Sequence, residues 1–77
     1  MEHELKTLPN YFKAVLGGTK QFELRKDDRE FKLGDTVLLR EWDGQNYTGR
    51  TCRRNIFYIL RDVPEYGLKE GYVILGL

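Results

Sequence analysis

The chain has 77 residues, enough for one hydrophobic core and too few for two, since a chain of this length buries only about 60% of its unfolded surface. Hydrophobic residues at 40% and aromatics at 13% argue against a disordered tail. One Cys and one His leave no internal disulfide and no closed zinc site. The formal net charge of +1 is too balanced to point to a polyanionic partner on its own. Stability must therefore come from packing alone, and neither a metal nor a cofactor is expected. No apolar run approaches the roughly 20 residues of a membrane span. The first residues, Met1-Glu2-His3-Glu4, begin with acid and lack a signal region. The free Cys52 suits a reducing compartment, so a cytoplasmic monomer is the expectation.

Leu5 opens a short polar–apolar alternation that reads as an edge strand ending near Thr7. Pro9 then suits a first helical turn. Tyr11, Phe12, Val15 and Leu16 form an apolar stripe, which predicts a helix over Pro9 to Leu16. Gly17-Gly18 stops it. From Lys20 to Arg25 the period becomes two, with Phe22 and Leu24 on one face and Gln21, Glu23 and Arg25 on the other. The charged stretch Lys26 to Glu30 is a turn or loop, and Leu33-Gly34-Asp35 turns into a β-rich run from Thr36 to Trp42. Asp43-Gly44 signals a turn, and the polar stretch to Thr48 makes that loop wider than two residues. Arg50 to Leu60 reads as one long strand, Pro64 to Gly71 as a loop or single turn, and Tyr72 to Leu77 as a final strand.

One early helix followed by four to five strands gives a mainly β (α+β) fold in a single domain, residues 1–77. Without crossover helices the sheet should be mostly antiparallel. Curling into a small barrel best hides its edges. Phe22, Leu24, Val37, Leu39, Ile59 and Val73 are the expected interior.

The densest polar constellation is Gly18-x-Lys20-x-x-Glu23-x-Arg25. On a strand Glu23 and Arg25 share a face, and such a pair orients the guanidinium for a phosphate or a base edge. Lys20 and Glu23 would serve as acid and base if desolvated. The plainer alternative is a solvated face carrying an ion pair of slight energy. A second group combines Trp42, Tyr47, Arg50, Arg53 and Arg54, the mixture of rings and cations that nucleic-acid surfaces use. All of it but Trp42 lies in a segment from Gly44 to Arg61 that holds four arginines and no acid. Charge is thus polarised along the chain. If Arg50 and Arg54 neutralise phosphates, their loss should flatten the salt dependence of binding. The plainer reading puts Trp42 in the core and the arginines on a solvated hairpin. Cys52 and His3 are the only thiol and imidazole, and no third group accompanies them.

Gly18-Thr19-Lys20-Gln21-Phe22-Glu23-Leu24-Arg25 resembles the G-x-K-x-x-E-x-R motif of the ASCH domains in the PUA-like superfamily. Phe31 to Val37, with its Gly34-Asp35 pair, is similar to their lead-in to an apolar strand. More closely, the whole chain resembles the small bacterial and phage-associated family DUF3850. The carrying elements are His3-x-Leu5-Lys6, Tyr11-Phe12, Gly18 to Lys26, Gly34-Asp35, Arg40-Glu41-Trp42, Tyr47-Thr48-Gly49-Arg50 and Gly71-Tyr72-Val73-x-Leu75. The resemblance implies a PUA-like barrel with a cleft beside the early helix, binding RNA or a nucleotide-like ligand. Lys20 and Arg25 would meet phosphate, Glu23 would orient Arg25 or accept from a base, and Trp42 or Tyr47 would stack. His3 and Lys6 would line the same cleft, with Lys26, Arg50 and Arg54 adding charge. The alternative it implies is a small amidohydrolase for a modified nucleoside, using Lys20 and Glu23. Relatives with that activity carry a Thr nucleophile three residues after the Lys, where this chain has Glu23.

Overall fold

The computed structural model describes residues 1–77. In chain order the elements are β1 (Glu2–Thr7), α1 (Pro9–Leu16), β2 (Phe22–Lys26), β3 (Thr36–Trp42), β4 (Tyr47–Asn55), β5 (Tyr58–Leu60), a 3-10 turn at Pro64–Tyr66, and β6 (Tyr72–Gly76). They form two three-stranded sheets, ordered β1-β3-β4 and β2-β6-β5. Ten buried apolar side chains drawn from both sheets, from α1 and from the connecting segments make one cluster. The mainly β expectation holds, but the strands do not close into one ring.

The helix forms where its stripe predicts. Leu8 is extended before Pro9 (ψ 152°), as a residue preceding proline must be. Phe12 and Val15, three apart, are the buried pair. Gly18 closes the helix with φ +83°, a left-handed conformation that costs glycine least. Its N–H meets the Val15 carbonyl, and the Lys20 N–H returns to Ala14. That turn brings Lys20 back beside the helix it has just left.

Most pairings are antiparallel, as expected: β2 with β6, β3 with β4 and β5 with β6. The exception is β1 and β3, which run parallel, with His3 opposite Val37, Leu5 opposite Leu39 and Thr7 opposite Glu41; residues 8–35 supply the long crossover that parallel pairing needs. Three other expectations give way. The run from Arg50 to Leu60 is not one strand. Ile56 is buried and its N–H meets the Asp35 carbonyl, whereas the Phe57 N–H meets Gly76 of the other sheet. The chain changes sheets there. Tyr47 and Thr48, expected in the loop, already belong to β4. The remaining loop, Asp43 to Asn46, is held by Asp43 Oδ1, which accepts the N–H groups of Gln45 and Asn46 at 2.8 Å each. Those bonds, Asn46 first, lower the Asp43 pKa.

The third correction bears on the site. Phe22 and Leu24 are about half exposed, at 46% and 54%, while Glu23 between them is 3% exposed. The antiparallel pairing of β2 with β6 sets Glu23 opposite Leu75 and Arg25 opposite Val73. Leu75 and Val73 are fully buried, and directly opposed residues share a face. Glu23 therefore turns inward and Phe22 and Leu24 outward. Val37, Leu39 and Val73 are interior as expected, and Ile59 packs at the margin of the cluster.

Asp35 ties the other end together. Its Oδ2 lies 2.8 Å from His3 Nε2 and accepts the Lys32 N–H at 3.1 Å. Its Oδ1 accepts from the Met1 amino group, also at 3.1 Å. The imidazole packs 4.7 Å from the Phe31 ring. These bonds, His3 first, lower the Asp35 pKa from 3.8 to about 2.

Two outcomes follow. Leu39→Ala, which opens a void in the core, should cost about 2–5 kcal/mol, whereas Leu24→Ala should stay within about 0.5 kcal/mol; paired urea titrations read the difference. A carboxyl whose pKa is lower folded than unfolded contributes stability above the unfolded value and loses it as pH falls through the folded one. The unfolding midpoint should therefore decline from about pH 4 toward pH 2, and Asp35→Asn should flatten that decline while lowering the midpoint at pH 7.

Candidate functional site

Where the end of β1, the start of α1 and β2 meet, a cleft of about 430 Å³ opens. Lys6, Thr7, Leu8 and Tyr11 line one wall, and Lys20 to Arg25, apart from Gln21, the other. At its centre Lys20 Nζ donates to Glu23 Oε1 at 2.5 Å, and Arg25 Nε donates to Glu23 Oε2 at 2.9 Å. Arg25 Nη2 also donates to the Lys6 carbonyl and lies 3.4 Å from Thr7 Oγ1. Arg25 is thus spent on holding Glu23 and on tying the two sheets together.

Burying a carboxylate costs several kcal/mol unless cations and hydrogen bonds compensate it, and both Glu23 oxygens are compensated. Lys20 is placed differently. An ammonium has three donors, and Lys20 Nζ also stands 4.9 Å from the Phe22 ring and 5.6 Å from the Tyr11 ring. It is a cation at the cleft wall, oriented by Glu23 and flanked by two exposed rings. With Lys6, Lys20 and Arg25 against Glu23, the lining is net positive.

The remaining residues singled out in the sequence are spread more widely. His3 is buried against Asp35 and Phe31 and does not line the cleft. Lys26 ends β2 and lines a smaller hollow of about 140 Å³ with Asp28 and Arg29. Lys6 reaches from the cleft to the outer face of the first sheet, where its Nζ sits 4.1 Å from the Trp42 ring. Trp42 is half-buried and meets Tyr47 edge to face at 5.0 Å.

The acid-free segment is not a free basic surface. Arg50 Nη1 is 3.6 Å from Glu41 Oε1 and its guanidinium caps the Phe12 ring at 5.0 Å. Arg53 pairs with Glu2, Arg61 makes a two-pronged bond to Asp27, and Arg54 donates to the Val15 carbonyl at the end of α1. Polarity along the sequence is largely cancelled in space.

Thr7, Leu8 and Tyr11 in the cleft, and Glu41 beside it, were not singled out from the sequence. Glu41 is 4% exposed, accepts from Thr48 Oγ1 at 2.8 Å, and is the β3 neighbour of Thr7. One signal was available: Glu41 falls in phase with Val37 and Leu39, so an acid occupies a core position of an otherwise apolar strand. Tyr11 gave no such signal, because it looks like part of the helix stripe.

The sequence that builds this helix-and-two-sheet fold matches a known family over almost its whole length. Residues 2–77 fit the profile described as "Domain of unknown function (DUF3850)", and the chain belongs to that family. It is also 40% identical over 73 residues to the "Uncharacterized 12.9 kDa protein in GpA 3'region" of Escherichia phage P2. That alignment takes in 95% of this chain and 64% of the phage protein, so the chain spans about two-thirds of its relative.

Glu23→Ala leaves two cations facing each other across the cleft wall. It should lower stability by about 1.5–3 kcal/mol, the usual loss for a hydrogen bond to a charged group. Arg53→Ala, at an exposed pair, should leave the urea midpoint unchanged.

Proposed function

We propose that this protein is a PUA-like, ASCH-type binding domain whose cleft takes RNA or a nucleotide-like ligand. One observation carries the reading: Lys20 is held by a buried carboxylate between two exposed aromatic rings in the wall of a net-positive cleft. A phosphate needs a cation with donors to spare, and a base or sugar needs a flat apolar wall. Leu8, Tyr11, Phe22 and Leu24 are each about half exposed around that cleft, an apolar surface that marks binding sites more often than bare solvent contact. Lys20 supplies the phosphate contact, Glu23 fixes its position and keeps an acceptor near the base, and Arg25 holds Glu23.

A second reading rests on the 2.5 Å contact between Lys20 Nζ and Glu23 Oε1. Such a pair is also the geometry of an acid and base acting on a modified nucleoside. Lys20→Arg separates the two, because a guanidinium keeps positive charge but does not deprotonate to a neutral base at ordinary pH.

Titration with single-stranded RNA, duplex RNA and nucleoside monophosphates, followed by backbone amide shifts, tests the proposal. Shifts should concentrate at Tyr11, Lys20, Phe22 and Glu23. Lys20→Arg should retain most of the affinity, while Lys20→Ala should lower it and reduce the slope of log affinity on log salt by about 0.7, the value for one single-strand phosphate contact. Arg50→Ala with Arg54→Ala should change that slope less. Turnover of an acylated nucleoside that vanishes in Lys20→Arg would install the hydrolase reading instead. Shifts confined to residues remote from the cleft would remove both.

A further inference from the structure

Beside the cleft, on the outer face of the β1-β3-β4 sheet, four side chains form a connected stack. Trp42 and Tyr47 are partners across the β3–β4 ladder and meet at 69°, ring centroids 5.0 Å apart. Lys6 Nζ lies 4.1 Å from the Trp42 centroid, and Arg40 Cζ lies 3.7 Å from that of Tyr47. Arg40 is steadied by Glu4 at 3.2 Å. None of the four completes the core, and only Lys6 belongs also to the cleft.

We infer that this stack is a second base-binding position, so that the ligand is a single-stranded oligonucleotide of at least two residues rather than a lone nucleotide. The inference rests on the cleft reading above and adds the ligand's single-stranded character and minimum length. Lys6 is the joint. Its ammonium covers the Trp42 face, held there by the attraction of a cation to a ring. A phosphate linking a nucleotide in the cleft to the next one passes Lys6 and competes for that ammonium with a full negative charge. Once Lys6 turns to the phosphate, the Trp42 face is open, and a neighbouring base stacks on it with Tyr47 as the side wall. Duplex RNA offers no unstacked base to such a face. A mononucleotide has no second base to reach it.

Trp42 is the only tryptophan, so its fluorescence reports this position alone, while the amide shifts of Tyr11 and Lys20 report the cleft. The experiment titrates the chain with uridine 5′-monophosphate, the dinucleotide UpU carrying a 5′-phosphate, hexauridylate with the same 5′-phosphate, and a blunt RNA duplex. All the single-stranded ligands should move the cleft amides. Trp42 emission should change with UpU and hexauridylate and not with the monophosphate, and UpU should bind about tenfold tighter than the monophosphate, a gain within that of one stacked base. Trp42→Leu should erase that gain, and so should Tyr47→Ser with Lys6→Met, should the tryptophan variant fail to fold. Equal affinity for monophosphate and UpU, or Trp42 emission unmoved by UpU while the cleft amides shift, overturns the second position and leaves the cleft. A duplex that changes Trp42 emission as UpU does overturns it too. Cleft amides unmoved by every ligand overturn both.

Discussion

The register of β2 on β6 is the constraint from which the rest of the site descends. Because Glu23 stands opposite Leu75 and Arg25 opposite Val73, a carboxylate is carried to the inner face of a small apolar core. A slip of one residue would exchange it for Phe22 and Leu24 and give a conventional apolar face with no charge to satisfy. In the register adopted, Glu23 requires cations on both oxygens, and the two that answer come from opposite directions. Arg25 lies on its own strand and reaches across to the β1 backbone at Lys6. Lys20 arrives from the turn after α1. One buried charge thus joins the two sheets and the helix terminus, and the cleft is the space left at that meeting point.

Asp35 shows why burial alone does not make a site. It too is a nearly buried carboxylate with both oxygens engaged. Its partners, however, are a buried imidazole, a loop N–H and the terminal amine, all belonging to the frame that starts β1 and β3. None of them opens onto a concavity with apolar walls. Glu23 is held by long side chains, and Lys20 keeps its ammonium at the cleft wall between exposed rings. The first carboxylate is consumed by the fold, whereas the second orients a cation that a ligand can reach.

Much of this was legible in the sequence. The helix and the strand from Thr36 to Trp42 follow directly from period and punctuation, and Lys20, Glu23 and Arg25 do converge. What misled was the face of β2. Alternation reveals that two faces differ but not which one points inward, and here the pairing of β2 with β6 turns the charged face in. The break at Ile56 was hidden for a related reason. An apolar stretch continues smoothly through a point where the chain changes sheets, because both sheets feed the same core. The parallel pairing of β1 with β3 depends on a crossover that includes a helix of only eight residues, short enough to be mistaken for a cap on an antiparallel sheet.

Charge illustrates the difference between order along a chain and order in space. The acid-free stretch from Gly44 to Arg61 suggests a basic strip, yet Glu41, Glu2 and Asp27 each come from elsewhere to meet one of its arginines. Arg54, which has no acid partner, lies against the carbonyl end of α1, where the helix dipole favours a cation. Lys6 sits on a ring with no acid partner, and Lys20 keeps ammonium donors beyond its bond to Glu23; neither lies in that stretch. Each is a lysine beside aromatic rings, and Lys20 is held in addition by the buried Glu23 carboxylate. An arginine locked in a two-pronged bond stabilises a fold, and a lysine resting on a ring can still be recruited. On that ground the proposed binding surface follows Lys6 and Lys20 rather than the most basic segment.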